Sequence, residues 1–149
     1  MTRTLCAAIA LGMATGLGVG AASAADMDKI VLVERAATDV VTDTGEAGDS
    51  VGDILTFANE VYDEANATMK GTDNGWCVRT VVGKAWECFW TLSLADGQIT
   101  VAGPFLDAGD SVLAITGGTG AYAGAGGEMQ LHARNDEGSE YDFVYVLSR

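Results

Sequence analysis

Histidine is nearly absent from this chain, and that shortage limits the chemistry it can perform. His132 is the only histidine among 149 residues. One imidazole provides no histidine cluster for zinc, and nothing around it forms the pattern of a serine or cysteine triad. We therefore expect no metal site and no hydrolase triad, and we interpret His132 as a structural or exposed strand residue.

Basic residues are also few, with 8 lysines and arginines against 21 acidic residues and a formal net charge of −13. Such a surface repels phosphate backbones and anionic lipids, so we expect no nucleic-acid partner and no membrane partner after removal of a leader. The ordinary role of this charge is solubility outside the cell.

Motifs for nucleotides and calcium are missing too. The glycine-rich stretch from Thr116 to Gly124 has no Lys-Ser or Lys-Thr and carries alanine at position 123, which excludes a P-loop and a Gly-x-Gly-x-x-Gly fingerprint. We interpret it as a tight strand connection with positive φ angles. The acidic segment from Thr38 to Ser50 lacks calcium-loop spacing and is predicted to be an exposed loop.

The N-terminus has the pattern of a secretory signal peptide. Arg3 is followed by an uncharged run from Thr4 to Ala25, with Ala22-Ser23-Ala24 as the cleavage site. The alternative is a retained membrane helix, which the high glycine and alanine content disfavours. We predict a signal peptide over residues 1–24, a single domain over residues 25–149, and a secreted protein, extracellular or periplasmic.

Short β-rich runs between turn residues make up the rest of the chain, and no helical apolar stripe is found. Eight such runs separated by Asp-Gly, Gly-Asp, Gly-Gly and Glu-Gly signals predict an all-β, eight-stranded antiparallel barrel, with an open sandwich as the main competitor. The predicted strands are Ile30–Glu34, Ile54–Tyr62, Trp76–Val82, Ala85–Leu94, Gln98–Phe105, Ser111–Thr116, Glu128–Arg134 and Tyr141–Leu147. One helical turn fits the polar segment from Asp63 to Asn74.

A hairpin supplies the sharpest local prediction. With Val82-Gly83 as a two-residue turn, Val81 faces Lys84, Arg79 faces Trp86, and Cys77 faces Cys88. Directly opposed residues on antiparallel strands have Cα atoms about 4.5 or 5.5 Å apart, a separation that a disulfide accepts. We predict a Cys77–Cys88 disulfide, with two free buried thiols as the alternative.

Alternation along the strands predicts which side chains point inward. On the hairpin the inward face holds Cys77, Arg79, Val81, Trp86, Cys88, Trp90, Leu92 and Leu94, and on the preceding strand it holds Leu55, Phe57, Asn59 and Val61. Arg79 either stacks on Trp86 at the mouth of the barrel or lies inside a pocket, and the mouth is favoured. Asn59 among apolar residues needs hydrogen-bond partners, most simply a structural network.

Four segments carry motifs that occur together in one known family: Gly52–Tyr62, Gly75–Val78, Ile99–Leu106 and Asp110–Tyr122. In this order they resemble the allene oxide cyclase family, over about Gly52 to Leu147, and the Gly-Gly-Thr-Gly segment is shared with the related dirigent proteins. The resemblance implies a barrel, usually in a homotrimer, that holds an apolar ligand without a cofactor.

The resemblance also implies site residues. Asn59 matches the asparagine that helps to fix a water near the epoxide oxygen, and Cys77 matches a pocket cysteine. Phe105 stands where plant enzymes have tyrosine, so a hydroxyl is missing, and no Ser-Pro pair is present. The family's early glutamate aligns near Val31, with Glu34 as the nearest acid. The dirigent arginine and strand acid are replaced by Gly126 and Thr80.

Three functions remain open. The first is a cyclase, isomerase or dirigent-like stereo-directing protein that acts on a reactive lipid- or polyketide-like intermediate and gains rate from conformational restriction and a polarising water. The second is a secreted ligand-binding barrel without chemistry, and the third is a surface interaction module. In the first, Asn59 positions the water and Arg79 binds a carboxylate. The substrate chain is then shaped by Phe57, Cys77, Trp86, Trp90 and Phe105.

Overall fold

The computed structural model describes residues 28–148, and every regular element in that range is a β-strand. The predicted signal peptide lies outside the described residues. The strands are β1 (Asp28–Arg35), β2 (Val40–Thr42), β3 (Ile54–Asp63), β4 (Met69–Val81), β5 (Ala85–Leu94), β6 (Gly97–Leu106), β7 (Ser111–Gly120), β8 (Gly126–Ala133) and β9 (Glu140–Ser148). Within residues 28–148 no helix is long and apolar enough to cross a membrane.

Eight of the strands close into an antiparallel barrel, as the sequence predicts. The hydrogen-bonded order is β1-β9-β8-β7-β6-β5-β4-β3, and β1 also pairs with β3, which closes the sheet. The ninth strand, β2, is an edge strand whose one partner within residues 28–148 is β3. An open sandwich is therefore excluded, because closure leaves no free edges in the eight-stranded ring.

Alternation places the core inside the barrel. On β5, Trp86, Cys88, Trp90 and Leu92 are buried, whereas Glu87 and Phe89 between them are exposed. On β3, the side chains from Leu55 to Val61 alternate in the predicted manner, with Asn59 and Val61 buried. The interior is thus built from the residues that the period of two selects.

The hairpin of β4 and β5 matches its predicted register at two pairs and departs from it at the turn. Cys77 pairs with Cys88 and Arg79 with Trp86, but Val81 pairs with Ala85 and not with Lys84. The irregularity follows Arg79 and moves Val81 from the predicted inward face to an exposed position. The prediction of a two-residue turn was wrong, because Val81 pairs with Ala85 and the turn spans residues 82–84, with Gly83 at a φ of 63°.

Three further elements differ from the sequence-based expectation. The segment 38–50 is exposed as predicted, but it contains β2. The polar segment 63–74 holds no helical turn, because β3 continues to Asp63 and β4 begins at Met69. β7 continues through the glycine-rich stretch to Gly120, whose φ of 60° begins the predicted tight connection to β8.

The connections between strands divide between the two ends of the barrel. Residues 36–53, 82–84, 107–110 and 134–139 lie at one end, which we call the mouth. The longest connection, residues 36–53, spans the mouth between β1 and β3. The functional side chains described below lie beneath it.

Candidate functional site

A narrow apolar cavity lies inside the barrel below the mouth. Its volume is about 50 Å³. Its walls are aromatic and aliphatic side chains, the two cysteines and two acids: Glu34, Asp39, Leu55, Phe57, Cys77, Cys88, Trp90, Phe105, Leu131, Tyr141 and Phe143. Side chains therefore fill most of the lumen, and the remaining space is large enough for only a few waters.

Aromatic rings define the shape of this cavity. Trp90 stacks on Phe143 with ring centroids 5.7 Å apart and meets Phe57 edge-on at 6.0 Å. Gly75 on β4 makes the second contact possible, since a Cβ there would overlap Trp90 and Phe57. Such edge and stacked arrangements are the favoured geometries for ring pairs. Phe57, Trp90 and Phe143 therefore form one packed wall of the cavity.

A disulfide forms another part of the wall. Cys77 and Cys88 are bonded, with Cα atoms 4.0 Å apart, as the hairpin register predicts. Both cysteines are buried and both face the cavity. A cross-link across the β4–β5 hairpin fixes the two strands that carry Trp90 and Arg79.

Asn59 lies one layer behind the cavity wall, at the centre of a hydrogen-bond network. Its Nδ2 donates to Glu34 Oε1 and to Asp39 Oδ1, both at 2.7 Å. Its Oδ1 accepts from the Ala37 N–H, the Thr38 N–H and the Thr38 hydroxyl at 2.8 to 3.1 Å. Both amide hydrogens are thus used by protein carboxylates. Asn59 orients Glu34 and anchors the first residues of the mouth.

Glu34 is the acid that this network holds against the cavity. Burial raises the pKa of Glu34 to about 7, although hydrogen bonds with Asn59 and Asp73 lower it and the charge of Asp39 raises it. An acid with a pKa near neutrality is suited to accept and return a proton at ordinary pH. Glu34 is thus the one cavity-lining carboxyl with a raised pKa among the described residues.

Behind Glu34 lies a second buried acid. Asp73 on β4 sits opposite Asn59 in the sheet register and is 0% exposed. Burial, and then the charge of Glu34, raises the pKa of Asp73 to about 10. Asp73 is therefore protonated at neutral pH, and the pair carries at most one negative charge.

Arg79 and Trp86 lie apart from this cavity, in a neighbouring hollow under the connection formed by residues 36–53. The guanidinium stacks on Trp86 at 4.0 Å from the ring. Arg79 Nε donates to Asp49 at 2.6 Å, and Nη1 donates to Asp107 at 2.7 Å. The carboxylates that Arg79 binds are thus the protein's own, and they fix residues 43–53 and the β6–β7 turn to the barrel.

A wider cleft opens on the outer side of the cavity. It has a volume of about 290 Å³ and lies between the turns 106–109 and 135–138. Phe105, Leu131 and Tyr141 line both the cleft and the inner cavity. Phe105 meets Tyr141 edge-on with centroids 6.0 Å apart. This ring pair separates the two spaces.

Residues 25–134 match the family model for allene oxide cyclase. The chain belongs to the allene oxide cyclase family. Solved structures of the same fold include a pyocyanin demethylase, 26% identical, with a TM-score of 0.68, covering 80% of this chain and 99% of that one. A pterocarpan synthase dirigent protein is 14% identical, with a TM-score of 0.68 and coverages of 85% and 98%. An exo-specific intermolecular Diels-Alderase is 18% identical, with a TM-score of 0.65 and coverages of 82% and 98%.

The fold of this allene oxide cyclase family member brings together only part of the predicted site. Phe57, Cys77, Trp90 and Phe105 line one cavity, Asn59 reaches it through Glu34, and Arg79 with Trp86 does not line it. The sequence analysis named Glu34 only as the acid nearest to Val31, the position at which the family's early glutamate aligns. It missed Asp73, Tyr141 and Phe143. An inward position in a period of two is the signal that could have found the last two.

Proposed function

We propose that this protein is a cofactor-independent cyclase, isomerase or stereo-directing protein for an apolar small molecule. The observation that carries the proposal is Glu34: a buried carboxyl with a pKa near neutrality faces an aromatic cavity and is oriented by Asn59. The cavity restricts the conformation of the substrate, and Glu34 moves one proton. Two of the solved structures support this class, because their names describe a pterocarpan synthase dirigent protein and an intermolecular Diels-Alderase.

Asn59 then has a different task from the one that the family resemblance implies. Its two amide hydrogens are held by Glu34 and Asp39, which leaves no N–H for a water beside the substrate. We propose that Asn59 orients Glu34 and that Glu34 is the group that contacts the substrate. The same network also holds the connection formed by residues 36–53, because Asn59 accepts two hydrogen bonds from Thr38.

We propose that the substrate enters by a movement of the Phe105–Tyr141 pair. The inner cavity of about 50 Å³ is far smaller than the 300–1,000 Å³ typical of ligand sites. Rotation of the two rings would join it to the outer cleft of about 290 Å³. We propose that the substrate lies across both spaces, with its reacting end beside Glu34.

The test is stereochemical. The protein is incubated with an unsaturated fatty-acid epoxide of the allene oxide type, and the enantiomers of the cyclised product are resolved. We expect one enantiomer in excess, whereas the protein-free reaction gives a racemic mixture. A racemic product with the protein present would contradict cyclisation control of this substrate.

A non-catalytic binding barrel is the second candidate, favoured by Phe105, which lacks the hydroxyl of the plant enzymes. In that case the purified protein carries a lipid or aromatic compound, which denaturation and mass spectrometry of the extract would reveal. Release of no such compound, together with a resolved product in the stereochemical test, would exclude this alternative.

We also propose a homotrimer. An apolar row crosses the outside of the sheet, where Trp76 is 47% and Phe89 38% exposed, with ring centroids 6.5 Å apart. In the register the row continues to Ala102 on β6, and on the other side it reaches Val40 on β2 across Thr56 of β3. Exposed patches of this kind mark interfaces. Light scattering should give three times the protomer mass for the native chain and a smaller mass for Trp76→Glu; a monomeric native protein would contradict the proposal.

Secretion remains a proposal that rests on the N-terminal pattern. Mass measurement of the protein recovered from the medium or the periplasm should give a chain that begins near Ala25. A chain that still carries residues 1–24 in the membrane fraction would contradict it.

A further inference from the structure

Asp73 is a fully buried carboxyl that no protein donor satisfies. Neither of its oxygens accepts a hydrogen bond within residues 28–148. Its position on β4, directly opposite Asn59, sets it behind Glu34 and away from the cavity. An ionised carboxylate without donors in such a place is strongly disfavoured, so a buried acid of this kind is kept neutral.

The Glu34 carboxyl is the group that can accept a hydrogen bond from the protonated Asp73. The two carboxyls lie within hydrogen-bonding reach of each other. Two carboxyls can be joined by a hydrogen bond only when one of them carries a proton. Once Asp73 is protonated, its O–H donates to Glu34, and a bond of this type to a charged acceptor is strong.

We propose that Asp73 is a positioning residue for Glu34, which keeps its own proton and uses it as a hydrogen bond that stabilises the ionised form of Glu34. This inference rests on the proposed function for its catalytic meaning. Glu34 then has two donors, the Asn59 amide on one side and the Asp73 hydroxyl on the other. Burial alone would make Glu34 a weaker acid.

The other titratable groups around the pair are acids or phenols. Asp39 at the mouth adds negative charge near both carboxyls. Tyr141 and Tyr145 of β9 are close enough that the charge of Glu34 helps to raise the pKa of each phenol. The reacting end of the substrate is therefore uncharged, because a carboxylate placed beside Glu34 would be repelled. A charged end, if the substrate has one, lies toward the outer cleft.

The proton balance of the reaction follows from this arrangement. Glu34 takes a proton from an O–H or C–H bond of the substrate and returns it to another atom of the same molecule. Asp73 keeps its proton throughout, so the protein ends in the state in which it began. The step is an isomerisation and needs no oxidant or reductant.

The experiment is a titration by NMR of protein labelled with ¹³C at the aspartate and glutamate carboxyls, with no substrate present. In the native protein the Asp73 signal should remain that of a protonated acid through neutral pH, and Glu34 should titrate near pH 7. An Asp73 signal that titrates like an exposed aspartate would overturn the proposal. This readout requires no variant to fold.

Two variants separate a hydrogen bond from mere packing. Asp73→Asn keeps a donor toward Glu34 and should leave the Glu34 midpoint within about half a pH unit, while Asp73→Leu removes the donor and should raise it by about one unit or more. Asp96→Asn, in the exposed β5–β6 turn, is the control. An unchanged midpoint in Asp73→Leu would also overturn the proposal. A failed stereochemical test with these titrations intact would refute the proposed function alone.

Discussion

Replacement of Asn59 by leucine should lower the free energy of unfolding by about 4 kcal/mol, measured by urea denaturation near pH 6. Asn59 is 1% exposed and makes five hydrogen bonds through its side chain. Leucine has a similar volume, so the loss comes from polar groups left unsatisfied and not from a cavity. The groups affected are the Ala37 and Thr38 amides, the Thr38 hydroxyl and two carboxylates.

The matched control is Asn74→Leu. Asn74 lies on the neighbouring strand, paired with Ala58, and its side chain is exposed on the outer face of the barrel. Its replacement should change the free energy of unfolding by no more than about 0.5 kcal/mol. A loss of less than about 1 kcal/mol in Asn59→Leu would show that the network does not hold the mouth.

Glu34→Gln should raise the free energy of unfolding above pH 7 and should lower the rate of product formation. The pKa of Glu34 is raised from 4.5 to about 7, so the folded state binds more protons than the unfolded state between these values. Stability contributed by the neutral form is present below about pH 4.5 and is lost as the pH rises toward and through 7. Glutamine stays neutral. The variant should therefore gain up to about 3 kcal/mol over the native protein above pH 7 and nothing near pH 4.

The same variant should form the resolved product about 10²- to 10⁴-fold more slowly, the usual contribution of a general acid or base. The glutamine side chain can keep the hydrogen bond from Asn59 and the shape of the cavity. The loss of rate therefore measures the contribution of proton transfer by Glu34. The control is Glu87→Gln, an exposed acid on the outer face of β5. Full activity in Glu34→Gln, at any pH, would remove Glu34 from the mechanism.

The barrel and its inner face could be predicted because they follow from local rules. Period-two alternation identifies the buried residues of β3 and β5, and the hairpin register places Cys77 beside Cys88. The exact turn could not be predicted, since a glycine with positive φ permits two- and three-residue turns equally. β2 could not be predicted either, because its one partner within residues 28–148 is β3 and its residues are exposed.

The two acids at the centre of the site, Glu34 and Asp73, could not be predicted from the sequence for a different reason. Asp73 lies in Gly71-Thr72-Asp73-Asn74-Gly75, a composition typical of turns, yet these residues are held as strand by β3 on one side and β5 on the other. Glu34 reaches Asn59 only because β1 closes the barrel against β3. The first contact depends on pairing between neighbouring strands and the second on closure of the barrel, and no local sequence pattern contains either.

A crystal structure of the protein with an unsaturated fatty-acid epoxide, or with the cyclised product, tests the central claim most directly. We expect the ligand to extend from the outer cleft into the lumen, with the Phe105–Tyr141 pair displaced and the reacting carbons against Glu34, Phe57 and Trp90. A ligand that stays outside a closed ring pair, with Glu34 buried beyond its reach, would contradict the account.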